Sequence, residues 1–215
     1  MEYSIQLPGK SPVLLKNWGN LPIEIIAALA GVKPVIHCWM QEPDSGYLES
    51  LRLGLGLKSL IYTRNEHGPG PARLGVMLGT RRALLREAAQ IWDKRGSNPG
   101  LQLGYPSCCS KFYCRWLAGG QTSTVDSDVI YQSYARTKPQ NVRLPFLLND
   151  VFYLYSRAPA PGRYELIEKL YRKNPGLPMS LLNVVPWHPC SYHCRASLAK
   201  AQRIWVLMQN LVPPL

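Results

Sequence analysis

The chain has 215 residues, 46% of them hydrophobic and 18% charged, with 25 Lys and Arg against 13 Asp and Glu and a net charge of +12. That length and apolarity are enough for a packed core without disulfide staples, and they exclude wholesale disorder. A bilayer span needs roughly 20 uninterrupted apolar residues, whereas the most apolar early stretch, residues 21–32, is short and broken by Glu24; neither a signal peptide nor a membrane span is expected. A cytoplasmic location follows as the expectation, and a cytoplasm keeps thiols reduced. The six cysteines are then ligands, nucleophiles or core residues rather than a disulfide framework.

The elements alternate over the first hundred residues. Residues 3–7 read as an edge strand. Residues 21–30 have helical periodicity, with Asn20 placed to cap and Pro22 suited to the first turn. The apolar run 35–40 suits a buried strand, with His37 and Cys38 in structural roles. A helix over 45–55, a strand over 58–64, a Gly/Pro loop over 65–71 and a strand over 73–78 follow. Thr80 is placed to cap a helix over 81–95 with a broad apolar face.

The second half reads as mainly helical: 106–117, 124–136, 163–173 and a long final helix over 189–211, with 146–155 ambiguous between strand and helix. The expected fold class is α+β, with a small mixed α/β part over 1–100 followed by a helical part over 101–215 that carries the cysteine motifs, the two forming one compact unit.

Two of those segments share a pattern. Gly104-Tyr105-Pro106-Ser107-Cys108-Cys109 and His188-Pro189-Cys190-Ser191-Tyr192-His193-Cys194 each place a proline where a helix should begin and cysteines just after it. First-turn N–H groups lack intrahelical partners and carry the positive end of the helix dipole, so thiolates there are stabilised. Cys190 and Cys194, at i and i+4, would share one face of such a helix. Cys108 and Cys109 are adjacent, so both reach one centre only if the first turn departs from regular geometry. His188 can approach from the loop, while Cys114 reads as a core residue. The expected metal ligands are Cys108, Cys109, Cys190 and Cys194. Tyr105, Ser191 and Ser197 stand beside them as candidates to contact the bound group, the serines through hydrogen bonds to sulfur.

The two strings, GYPSCC and HPCSYHC with Ser197, resemble the paired signature of an uncharacterised prokaryotic family, roughly Gly-Tyr-Pro-x-Cys-Cys at mid-chain and Pro-Cys-Ser-x-x-Cys-x-x-Ser near the end. The matched positions are Gly104, Tyr105, Pro106, Cys108, Cys109, Pro189, Cys190, Ser191, Cys194 and Ser197. The resemblance implies that the two motifs belong together. It implies no reaction.

Three functions are open at this stage. The leading expectation is a [4Fe–4S] cluster held by Cys109, Cys190 and Cys194, with Cys108 as the fourth ligand or as the residue beside an open iron that acts as a Lewis acid, in an enzyme of lyase or sulfur-transfer type acting on an anionic small molecule or a tRNA. The second is a structural zinc site in a basic RNA-binding module, to which the Arg81, Arg82 and Arg86 group and the looser basic band over 136–173 would contribute. The third is a metal-free thiol enzyme using Cys108 or Cys109.

Overall fold

The structure, a computed structural model, describes residues 3–16, 21–41, 45–65, 73–92, 98–119, 129, 132–133, 136 and 184–211. The expected elements over 146–155 and 163–173 lie outside the described residues. So does most of the one over 124–136, of which residues 129, 132 and 133 are helical. Helices and sheets are both present, strands N-terminal and a long helix C-terminal, so the class is α+β.

The elements in order are β1 (Tyr3–Ile5), β2 (Val13–Leu15), α1 (Leu21–Leu29), β3 (Val35–Gln41), α2 (Ser45–Leu55), β4 (Lys58–Asn65), β5 (Arg73–Gly79), α3 (Arg82–Trp92), α4 (Ser107–Ala118) and α5 (Arg195–Leu211). β1 and β2 form a small antiparallel pair. The main sheet has the order β3-β5-β4, with β5 antiparallel to both neighbours and a register irregularity between Ile61 and Thr63. β3 and β4 therefore run parallel, joined by the α2 crossover.

The sheet is covered on both faces, which is why β5 is buried from Gly75 onward rather than alternating with solvent. Val35 and Met77 pack with Leu85, Ala88 and Ala89 of α3. Ile36, Met40, Val76 and Leu78 point the other way, into the larger core with α1, α2 and α5. In α5 the buried residues Ser197, Ala201, Ile204, Met208 and Leu211 recur at helical spacing.

The end of α1 shows how the final helix is tied to this core. Gly31 has φ of 66°, and the bonds from Gly31 N to Ala28 O and from Val32 N to Ala27 O form a Schellman motif. α5 supplies cations to carbonyls there: Arg203 Nη2 donates to Ala30 O at 2.8 Å, and Lys200 Nζ lies 3.5 Å from Val32 O. The same Lys200 donates to Gly104 O at 2.8 Å. One side chain thus links α1, α5 and the turn that leads into α4.

Most expected elements are present, with shifted ends. β2 was not expected; three residues are too few to show an alternating pattern. The cap of α3 is Arg81 rather than Thr80, because Leu85 N bonds Arg81 O. Asn20 lies outside the described residues. The largest correction concerns the last helix. It begins at Arg195, not at Pro189.

Candidate metal centre

Gly104 opens the first motif and has φ of 80°. A Cβ there would sit 2.5 Å from Val32 O and 2.6 Å from Pro34 Cδ; the turn needs glycine both for its left-handed backbone and for close approach to the α1–β3 connection. Tyr105 follows, and Pro106 is the N-cap of α4, with φ −54° and ψ 135°. Proline thus stands one position before the first helical residue expected for it, its carbonyl accepting from Ser110 N at 2.9 Å. Cys108 and Cys109 then occupy the second and third positions of α4. Cys108 is exposed and Cys109 is buried.

The second motif is a turn, not a helix start. Cys194 N bonds Ser191 O at 3.1 Å, and Cys194 O accepts the first α5 bond, from Leu198 N at 2.9 Å. Cys194 is therefore the N-cap of α5. The Ser197 backbone N–H reaches its sulfur, as a serine cap would accept from the third helical residue. Cys190 and Cys194 do not share a helical face, as the spacing had suggested. They face the same point because the 190–194 turn folds back.

The result is a group of four thiols. Cys108, Cys109, Cys190 and Cys194 have their sulfurs all within 4.8 Å of one another, and such a group can hold a metal ion. The separations are 3.5 Å for Cys108 to Cys194, 3.6 Å for Cys109 to Cys194 and 3.9 Å for Cys108 to Cys109. Adjacent Cys108 and Cys109 reach the same point because they sit on the first turn of α4, facing the 190–194 turn.

Donors surround the sulfurs. Cys190 N–H lies 3.3 Å from Cys109 Sγ. Ser197, fully buried, places Oγ 3.1 Å from Cys109 Sγ and accepts from Trp187 Nε1 at 3.0 Å. The indole N–H can only donate, so the Ser197 hydroxyl proton is free to point at Cys109. These contacts set the thiols apart. The Cys109 thiol, together with the Ser197 backbone N–H, holds Cys194 well below the usual thiol range against the cost of burial. Its hydrogen bond to Cys194, and burial, push Cys109 up. Burial, then the neighbouring thiols, push Cys190 up to about 11. A divalent ion would replace the thiol protons and let all four bind as thiolates.

Of the remaining candidates, Ser191 contributes its backbone carbonyl to the turn. Tyr105 packs against Trp187 with the rings tilted by 36° and their centroids 5.9 Å apart, and its hydroxyl is 3.4 Å from Lys33 Nζ. His188 stacks on Tyr113 at 5.5 Å and stands outside the thiol group. Cys114 lines a cavity beside the group instead of the core. Cys38 packs against the main core, and burial pushes its thiol up to about 12.

Sequence reasoning missed a buried ion pair next to the centre. Lys33 is 1% exposed and its Nζ lies 3.2 Å from Glu24 Oε2 and 4.6 Å from the centre of the Tyr105 ring. The pair is not symmetric. Burial lowers Lys33, but Glu24 and Tyr105 together more than reverse that and the net shift is upward. Burial raises Glu24 by more than Lys33 returns. The signal was visible: Glu24 is the one charge inside an apolar helix, with a lysine just beyond its end. Among the described residues no helix is long and apolar enough to cross a membrane. No family model, curated protein or solved structure matches the chain.

Proposed function

We propose that this is a metal–thiolate protein in which one zinc ion, bound by Cys108, Cys109, Cys190 and Cys194, fastens the start of α5 to the start of α4. The observation that carries the reading is the spacing of the sulfurs. A tetrahedral site with Zn–S of about 2.3 Å has sulfurs about 3.8 Å apart, and three of the pairs here lie at 3.5 to 3.9 Å. Four thiolates close the coordination sphere, as structural rather than catalytic sites do. The excess negative charge of four thiolates on a divalent ion is met by two helix N-termini and by N–H and O–H donors to sulfur. The net charge of +12, with Arg81, Arg82, Arg86, Lys111 and Arg115 all exposed, supports RNA as the partner class.

A [4Fe–4S] cluster is the second reading. The donor set is the same, since soft thiolates suit both. A cluster interposes an iron at each corner and so spreads the thiolates wider than one shared ion does. The observation in its favour is Cys108, whose exposure leaves it free to move outward and open the group.

Metal and acid-labile sulfide analysis of protein purified without oxygen separates them. One zinc per chain and no sulfide supports the first reading. Iron and sulfide in equal amounts with absorbance near 400 nm replaces it with the second. RNA affinity that does not fall with salt would remove the RNA assignment.

A further inference from the structure

A cavity of about 290 Å³ lies beside the thiol group, at the small end of the range for small-molecule sites. Cys109 forms part of its wall, but most of the lining belongs to elements that carry no thiol ligand. Its wall carries the aromatic rings of Trp92, Tyr105, Tyr113, Trp187 and His188. Its polar groups include acceptors as well as the ring N–H and O–H groups of Trp92, Tyr113 and His188. Glu24 presents a carboxylate at depth, and the Asn98 carbonyl oxygen takes the Ser110 hydroxyl. Among the described lining residues there is no lysine or arginine. Lys33 stands behind the lining, held between Glu24 and Tyr105.

These features select by charge and shape. A phosphate or carboxylate entering the cavity would meet the Glu24 carboxylate with no free cation to offset it. A flat ring gains stacking area against the aromatic walls. A carboxylate has about four lone-pair sites, so Glu24 can bond Lys33 and still accept from a ligand. We propose that this cavity binds a planar, uncharged nitrogen heterocycle that offers adjacent N–H donors to Glu24, the chemistry of a guanine edge. Two sources share that chemistry: a free nucleoside, or a base splayed out of single-stranded RNA and stacked on aromatic side chains. The cavity argument is independent of the ion that the four thiols hold.

The test is calorimetric titration of the full chain with guanosine, and separately with a short single-stranded RNA containing one guanine. The variants are Glu24→Gln and Leu117→Trp. Leu117 lines the cavity and is 45% exposed, so it stands at the solvent edge, where a larger side chain narrows entry without disturbing the core. This second variant keeps the test decisive if Glu24→Gln fails to fold. Loss of one charged hydrogen bond, or blocked entry, should weaken guanosine binding by about tenfold or more. An RNA that loses the same factor identifies a splayed base as the ligand. An RNA that is unaffected while guanosine binding is lost identifies the free nucleoside. Guanosine and RNA affinities that are both absent, or both unchanged in the variants, overturn the proposal. Zinc measured on the same samples keeps the two questions apart, since zinc-free protein that still binds guanosine would sink the metal assignment and leave this one standing.

Discussion

Cys109 Sγ and Cys194 Sγ lie 3.6 Å apart although 85 residues separate them in the chain. Neither reaches the other by accident of packing. Cys109 is on the first turn of α4, and Cys194 is the cap of α5. α5 is placed by its buried stripe and by the Lys200 and Arg203 contacts to α1 and to Gly104. The thiols meet because the helices that carry them are fixed by contacts that involve no thiol.

Replacing either of these two cysteines should therefore cost the ion before it costs the fold. Cys109→Ser and Cys194→Ser should each lower bound zinc well below one per chain and lower the melting temperature, because binding free energy of a structural site is folding free energy. Far-ultraviolet circular dichroism should remain close to that of the parent at low temperature. A full zinc complement in either variant would show that the residue is not a ligand.

Ser197 acts through its neighbours. Ser197→Ala removes the acceptor of Trp187 Nε1 and the donor to Cys109 Sγ. The orphaned indole N–H should cost about 1–3 kcal/mol by denaturant unfolding, and loss of the second contact should weaken zinc affinity by about 10- to 100-fold. Competition with a chromogenic chelator reads the affinity. A variant that loses stability but keeps full affinity would make Ser197 a packing residue only.

Lys33 and Glu24 should show the asymmetry of a buried pair. Lys33→Met leaves a buried carboxylate without its cation and should destabilise by about 3–5 kcal/mol. Adding Glu24→Leu should recover most of that loss, as apolar replacements of buried pairs often do. If the double variant is no better than the single, the carboxylate is not what makes the first change costly.

His37 gives the fold a pH dependence of known sign. It is bonded to Tyr62 Oη at 2.8 Å and packs against Trp92 with ring centroids 3.8 Å apart; burial, with Lys33 adding to it, lowers its pKa from 6.5 to about 4. The unfolded chain then binds the extra proton between those values, so stability is full above about pH 6.5 and falls as the pH drops toward 4. Discounted for its partial exposure, the loss should be about 2 kcal/mol. Chemical denaturation of parent and His37→Phe across that window checks it. An equal slope in both proteins would assign the effect to other groups.

Much of this was legible in the sequence, and unevenly so. α2 was read to its ends, and α4 to within one residue, because hydrophobic period and turn residues agree there. The four thiol candidates came from two prolines followed by cysteines, and the structure brings all four together. The geometry behind that was misread at Pro189. A proline suits the first helical position, but it equally suits the approach to a turn, and residues 190–193 make one before Cys194 caps α5. Tertiary contacts decided the rest. A lone Glu24 in an apolar helix marked a buried charge in need of a partner, but only the fold brings Lys33 to it, and nothing in Trp187 marks it as the donor to Ser197.

X-ray absorption at the metal edge of anaerobically purified protein tests the central claim most directly. The expected result is zinc with a first shell of four sulfurs at about 2.3 Å and no metal neighbour. An iron edge with a second iron close by, or protein that binds no metal at these four cysteines, would contradict it.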